Sequence, residues 1–291
     1  METLFVGGAC MKRFLAAALA LLMVVTLGIS AFAEESVEEA EVGFPKNAEA
    51  AMEMSLRAYE ENDADTKDFS SPFLRNLAVF GSNDLEIVSD REEYPYCAIA
   101  RMVSHFRCGC NVCGTGFMVS QKGLMTAAHY LVCTKHSKTV DGITLYFGYN
   151  NDRNYYYKYD GGASYWYGTD FSNGYEPEDD YGYVKFKDPV GDYTGWFGLR
   201  VISDSDFNED GIWSISGYSG NDLFYDIDHA SVRSEKTIKH EIDTMAGMGG
   251  SPIYTFDCAA VAINVGENSS SNVARRITSS LIKQMWDNGV L

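Results

Sequence analysis

The chain has 291 residues, of which 46% are apolar, so it can bury the core of one large domain or of two smaller ones. The formal net charge of −18 at pH 7 argues against nucleic-acid binding, because proteins with that function carry a basic surface. The 27 glycines and 19 tyrosines, with few long apolar runs, favour β-structure with many turns.

The N-terminal residues have the three parts of a secretory signal peptide. The sequence MKR at positions 11–13 precedes a long apolar run, which ends in AFA at 31–33 before an acidic stretch. We therefore predict translation from Met11, removal of residues 1–33 and secretion of the mature protein. A membrane anchor is the alternative, because the apolar run approaches the length that spans a bilayer. No comparable run follows, so we expect no membrane association after cleavage.

The segment that follows, residues 34–78, has twelve acidic and four basic side chains and therefore a net charge of −8. Within it, Met52, Leu56 and Tyr59 have the spacing of one face of a short amphipathic helix. We predict that residues 34–78 form a pro-segment that is removed by proteolysis. A solvated extension without a role is the alternative.

From Val79 onward, short apolar runs alternate with turn residues, which is typical of an all-β protein. Examples are CAIARMV at 97–103, YGYVKFK at 181–187 and AAVAINVG at 259–266. The segment 145–175 is rich in Tyr and Gly, which favours cross-strand aromatic pairs over a surface for sugars or peptides. Near the C-terminus, helical spacing predicts a helix over 279–288 that packs on the β-structure through Ile277, Leu281, Ile282, Met285 and Trp286.

Seven cysteines occur, and removal of the signal peptide leaves six: Cys97, Cys108, Cys110, Cys113, Cys133 and Cys258. An even number in an exported protein favours disulfides, but six cysteines allow fifteen pairings and the sequence alone selects none. The sequence CGCNVC at 108–113, together with Cys133 or His136, is also compatible with a metal site. Because export favours disulfides, we expect no bound metal and no cofactor.

Three stretches have the residue types that nucleophilic catalysis needs. They are TAAH ending at His129, DDYGYVKF beginning at Asp179, and DTMAGMGGSPIY beginning at Asp243. A serine hydroxyl is a poor nucleophile near pH 7. It needs a neutral imidazole to accept its proton and a buried carboxylate to hold that imidazole in the right tautomer.

In this order, the three stretches resemble the motifs of the trypsin-like serine endopeptidases, which have the chymotrypsin fold, and in particular the bacterial glutamyl endopeptidases. The resemblance covers residues 79–291. It implies an all-β fold of two antiparallel β-barrels, at about 79–195 and 196–278, followed by the C-terminal helix. It also implies secreted endopeptidase activity, with peptides or proteins as substrates, and we expect a monomer.

The resemblance assigns a role to each matching residue. His129 would be the general base and then the general acid, and Asp180 would orient it, with Asp179 in that role if the register shifts by one. The backbone N–H groups of Gly247 and Gly249 would form the oxyanion hole. A disulfide between Cys113 and Cys133 would tie together the two segments beside the histidine.

The sequence departs from the family pattern at two positions. The nucleophile position is Gly249, and Ser251, two residues further on, is expected to point elsewhere. Asn264 stands in the substrate-binding position where the glutamyl branch has His, so a preference for acidic side chains is not implied. The alternative function is therefore a catalytically inactive protein that binds peptides or a partner protein in the cleft.

Overall fold

The computed structural model describes residues 83–171, 176–208, 211–267 and 271–291. The predicted signal peptide at 1–33 and the predicted pro-segment at 34–78 lie outside the described residues. The described chain is mostly β-structure, as the alternation of short apolar runs and turns predicts.

The first large sheet has seven strands: β2 Ile99–His105, β3 Asn111–Met118, β4 Gly123–Thr126, β7 Gly142–Phe147, β8 Tyr157–Tyr159, β9 Ala163–Tyr167 and β10 Gly182–Phe186. Its spatial order is β8-β7-β2-β3-β4-β10-β9, and every pair in it is antiparallel. Two short strands, β5 Val132–Cys133 and β6 Lys138–Thr139, pair separately as a hairpin. The seven-stranded sheet curls into a half-barrel.

The second large sheet has eight strands: β1 Glu86–Ile87, β11 Gly198–Leu199, β12 Ile212–Ser219, β13 Asp222–Val232, β14 Thr237–His240, β15 Pro252–Tyr254, β16 Ala259–Glu267 and β17 Asn272–Arg276. Six of them close into a barrel in the order β13-β12-β15-β16-β17-β14, because β14 also pairs with β13. The short β11 is parallel to β16, and β1 pairs with β13 although it precedes the first sheet in the chain.

In the described part of the chain, three α-helices lie outside the sheets: α1 Gly191–Thr194, α2 Asp204–Asn208 and α3 Ser279–Asp287. The predicted C-terminal helix is α3, and the Thr278 side chain caps it by accepting a hydrogen bond from the Leu281 N–H at 3.3 Å. Leu281 and Met285 are buried in the main core, whereas Trp286 is 59% exposed, so its predicted packing is wrong. No helix among the described residues is long and apolar enough to cross a membrane.

The all-β fold with a C-terminal helix is confirmed. The aromatic residues of the 145–175 segment take part in cross-strand pairing: Trp166 lies opposite Tyr183, with the ring centroids 5.6 Å apart and the rings stacked. The two sheets share a large core cluster, and a second cluster fills the closed barrel around Trp213 and Met248.

The contrast between Met285 and Trp286 gives a test of how α3 docks. We expect Met285→Ala to lower the free energy of unfolding by about 2–5 kcal/mol, because it leaves a cavity in the core. Trp286→Ala should change it by about 0.5 kcal/mol or less, because the ring is mostly in solvent. Urea denaturation of both variants measures the difference, and equal losses would contradict this docking.

Candidate active site

His129 and Asp180 are held together by strand register. His129 lies in a 3-10 turn just after β4, and Asp180 lies two residues before β10. Because Gly182 pairs with Thr126, the ends of these strands meet, and Asp180 reaches the histidine. Both residues are buried, Asp180 completely.

The carboxylate of Asp180 uses both oxygens on His129. The ring Nδ1–H donates to Oδ2 at 2.7 Å, and the backbone N–H donates to Oδ1 at 3.0 Å. This pairing fixes the Nδ1–H tautomer, so Nε2 is left to accept a proton. Asp180 and not Asp179 is therefore the partner of His129 in the structure.

The segment that carries Asp180 is also held by the second sheet. The Arg275 side chain, from β17, donates from Nε to the Glu178 carbonyl at 2.6 Å, and its guanidinium lies 5.0 Å from the centre of the Tyr181 ring. Arg275 is nearly fully buried. Sequence reasoning missed this residue, because an isolated arginine in a strand carries no recognisable motif.

The glycine-rich turn between β14 and β15 lies across from the histidine. A Cβ atom built on Gly249 would lie 3.0 Å from Nε2 of His129 and 3.1 Å from its Cε1. The structure therefore brings the predicted nucleophile position, the predicted base and the predicted orienting carboxylate into one site. Gly249 supplies no reactive atom to that site.

The two predicted oxyanion donors have no competing backbone acceptor. Among the described residues, the N–H groups of Gly247 and Gly249 donate to no backbone carbonyl. The Met248 carbonyl accepts from Asn264 Nδ2 at 3.0 Å. Because that carbonyl and the Gly249 N–H belong to one trans peptide, fixing the carbonyl points the N–H to the opposite side.

Thr115 on β3 docks the turn onto the first sheet. Its Oγ1 donates to the Gly247 carbonyl at 2.9 Å and accepts from the Tyr218 N–H at 2.9 Å. Its backbone N–H donates to the Gly249 carbonyl at 3.1 Å, and its carbonyl accepts from Thr126 Oγ1 at 2.7 Å. Thr115 is fully buried, so each of these groups would be costly to leave unpaired.

Asn264, the predicted substrate-binding residue, lies beneath the turn and is fully buried. Its Oδ1 accepts from Nε2 of His240 at 3.3 Å, while its amide holds Met248. His240 is also buried, and this burial lowers its pKa to about 4, so it stays neutral at ordinary pH. The structure thus gives these two side chains contacts that support the turn.

The structure does not form the Cys113–Cys133 bridge implied by the resemblance. Cys133 carries a free thiol, and its Sγ lies 3.6 Å from Sγ of Cys108. Cys113 lies instead 3.7 Å from the Arg101 guanidinium. The residue that follows His129 is Tyr130, whose ring packs against Gly114 next to Cys113.

No family model matches the sequence. It is 25% identical to an extracellular metalloprotease of Bacillus subtilis over 297 aligned positions, covering 93% of this chain and 94% of the relative. It is 27% identical to a glutamyl endopeptidase of Bacillus licheniformis over 235 positions, covering 72% of this chain and 67% of the relative.

Solved structures agree with the second of these relatives. A Glu endopeptidase structure matches with a TM-score of 0.64 at 16% identity, covering 74% of this chain and 100% of that one. The chain has the fold of the trypsin-like serine endopeptidases. The protease Anisep from Arthrobacter nicotinovorans matches with a TM-score of 0.55 at 15% identity, covering 66% of this chain and 94% of Anisep. The expected resemblance to trypsin-like and glutamyl endopeptidases is thereby confirmed.

The Thr115 hydroxyl can be tested with a matched pair of variants in this serine endopeptidase fold. Thr115→Val leaves the Gly247 carbonyl and the Tyr218 N–H unpaired, and each is expected to cost about 1–3 kcal/mol of unfolding free energy. Thr115→Ser keeps the hydroxyl and should lose only about 1 kcal/mol for the missing methyl. Urea denaturation compares the two, and equal stability would show that the hydroxyl does not dock the turn.

The buried His240 predicts a pH-dependent stability. Its pKa is about 4 in the folded state against the ordinary histidine value of 6.5, so between these pH values the unfolded state binds more protons. The unfolding free energy should therefore fall as the pH drops from 6.5 to 4, by about 3 kcal/mol from this group. His240→Gln keeps a hydrogen-bond donor for Asn264 and should remove most of this fall in unfolding free energy between pH 6.5 and pH 4. Parallel curves for the two proteins would contradict the burial of a neutral imidazole.

Proposed function

We propose that this protein binds peptides across the His129 and Gly249 site of its serine endopeptidase fold and does not cut them by acyl transfer. The observation that supports the proposal is the position of Gly249, whose missing side chain would point at Nε2 of His129. The hydrogen bond from His129 to Asp180, and turn N–H groups without a backbone acceptor among the described residues, also support the proposal. Such a site would polarise the carbonyl of a bound peptide, but no acyl-enzyme would form.

Ser251 does not replace the missing nucleophile in this proposal. It is fully buried, and its Oγ lies against Gly217 on β12, away from the histidine. Its hydroxyl has no hydrogen-bond partner among the described residues. The glycine at 217 leaves the space that this hydroxyl fills, so the serine belongs to the packing between the turn and β12.

Tyr130 occupies part of the space that a nucleophile would need. A Cβ on Gly249 would lie 2.8 Å from the Tyr130 hydroxyl, which is closer than real Cβ atoms come. The tyrosine is fully buried, and desolvation raises its pKa well above the ordinary value, so it supplies no phenolate to attack a substrate. The absence of a side chain at Gly249 thus leaves the space that the Tyr130 hydroxyl occupies.

A second candidate function is slow hydrolysis by a water molecule that His129 activates. The intact pair of His129 and Asp180 favours it, because that pair is what a proton-accepting imidazole requires. In proteases whose triad residues are removed, the oxyanion hole and binding alone retain about 10³–10⁴-fold acceleration over water. The two candidates differ in whether the protein as it stands turns over a peptide in a His129-dependent way.

The name of the Bacillus subtilis relative raises metal-activated water as a further alternative. A catalytic zinc needs three protein ligands beside the reacting water. Among the described residues, His129 is in no group of three or more histidine, cysteine or carboxylate side chains that could hold an ion. The site at Gly249 therefore does not have the ligand set of a catalytic metal.

We also propose that the signal peptide at residues 1–33 is removed and that the rest of the protein is secreted. One relative is named an extracellular protease, and its alignment covers 93% of this chain, so it extends into the residues before Asn83. The signal-like pattern at 11–33 supports the same route. Asn264 is uncharged and buried, so the site provides no cation there for an acidic side chain.

The proposal is tested by restoring the nucleophile with and without the crowding hydroxyl. The wild type should neither react with a fluorophosphonate nor hydrolyse casein, whereas Gly249→Ser should do both weakly. Adding Tyr130→Phe should raise the rate about tenfold or more, because relief of overpacking is worth about 1–3 kcal/mol. Adding His129→Ala should then lower turnover by about a million-fold.

Tyr130→Phe alone is the control for folding, and it should stay inactive. Casein-derived peptides should bind the wild type, as measured by fluorescence anisotropy. His129-dependent casein hydrolysis by the wild type would contradict the proposal in favour of the water mechanism. A folded Gly249→Ser/Tyr130→Phe protein that fails to react would show that the site is not assembled for catalysis.

A further inference from the structure

Four potential metal ligands converge outside the active site. Their ligand atoms all lie within 4.8 Å of one another, and they come from Cys108, Cys110, Cys133 and His136. We call this group the Cys3His cluster. Two tight turns supply it, and each turn contributes two ligands.

The first turn connects β2 to β3. The Phe106 N–H donates to the Cys110 carbonyl at 3.1 Å, and the Gly109 N–H donates back to the Phe106 carbonyl at 2.8 Å. Gly109 has a positive φ of 82°, which a residue with a side chain rarely adopts. The glycine therefore lets the chain reverse between Cys108 and Cys110 so that both thiols lie in one cluster.

The second turn connects β5 to β6. The His136 N–H donates to the Cys133 carbonyl at 3.2 Å, which closes the turn and places the imidazole beside the thiol. Nδ1 of His136 lies 3.5 Å from Sγ of Cys133 and 3.5 Å from Sγ of Cys110. One nitrogen thus faces thiols from both turns.

These separations are those of a tetrahedral zinc site. With Zn–S near 2.3 Å and Zn–N near 2.05 Å, tetrahedral angles put two sulfurs about 3.8 Å apart and sulfur and nitrogen about 3.6 Å apart. The structure has 3.6 Å between Sγ of Cys108 and Sγ of Cys133, and 3.5 Å for the two sulfur–nitrogen pairs. A single disulfide would leave two of the four groups without a role.

We propose that the Cys3His cluster binds one zinc ion in a structural site. Four protein ligands complete a tetrahedron, so no position remains for a reacting water. The sequence-based expectation of no metal rested on export, which favours disulfides, and this proposal departs from it. The convergence of four ligands and the three measured separations between their atoms support zinc over one disulfide.

The proposed zinc would anchor the segment that follows the catalytic histidine. The β5–β6 hairpin begins two residues after Tyr130 and, in the described part of the chain, pairs with no third strand. A two-stranded hairpin alone is marginal in water, and this one is held in part by the burial of Val132, Cys133 and Val140. The ion would join it to the β2–β3 turn, the restraint that the resemblance assigned to a disulfide.

The experiment measures metal and thiol state in the full chain purified without chelators. Elemental analysis should give about one zinc per chain, and alkylation of the denatured, chelated protein should find the thiols of Cys108, Cys110 and Cys133 reduced. Cys108→Ser and Cys110→Ser should lose the zinc. Cys258→Ser should keep it, because Cys258 lies between β15 and β16 of the second sheet. His136→Cys should also keep it, because a thiolate replaces the imidazole.

If the cysteine variants do not fold, the wild type itself still tests the proposal. A chelator should lower its Tm, and added zinc should restore it. A protein without zinc whose Tm is insensitive to chelator would overturn the proposal, as would a cross-linked peptide pair containing Cys108 and Cys133. Zinc retained by Cys110→Ser at full stoichiometry would also overturn it.

Discussion

The docking of one turn onto one strand determines whether this molecule has a site at all. His129 and Asp180 belong to the curled first sheet, whereas the turn with Gly249 belongs to the closed barrel of the second. Thr115 joins them with hydrogen bonds from its hydroxyl and its backbone N–H to the carbonyls of the turn. Asn264 holds the Met248 carbonyl, so the Gly249 N–H, which belongs to the same trans peptide, points to the opposite side. The geometry of the candidate site is therefore a property of the interface between the sheets.

The Tyr130 ring fills the interior next to His129, between two glycines. Gly114 leaves space for the Tyr130 ring, and Gly249 leaves space for its hydroxyl, so a large side chain fills what would otherwise be a cavity. Cores are close-packed, and this contact leaves no room for a side chain at Gly249 unless Tyr130 shifts. Each oxygen of the Asp180 carboxylate accepts one hydrogen bond from His129, so the pair also contributes to holding β4 and β10 in place. Persistence of this pair is thus compatible with a structural role.

The sequence alone could predict what local patterns encode. The all-β class, the C-terminal helix and the resemblance to trypsin-like endopeptidases follow from strand periodicity, helical spacing and short motifs, and they are confirmed. Long-range contacts could not be predicted: the pairing of β1 with the second sheet, and the anchoring of Glu178 by Arg275, depend on residues far apart in the chain. The structure does not form the Cys113–Cys133 pairing that the resemblance implied: Cys133 lies beside Cys108 and Cys113 beside Arg101.

The central claim is that a peptide is held at this site with its carbonyl facing the turn and stays intact. A crystal structure of the protein grown with an excess of a casein-derived peptide tests it most directly. The account predicts an uncleaved peptide whose carbonyl oxygen accepts hydrogen bonds from the N–H groups of Gly247 and Gly249, with His129 still bonded to Asp180. A cleaved or acyl-linked peptide, or a peptide bound elsewhere with these N–H groups turned away, would contradict it.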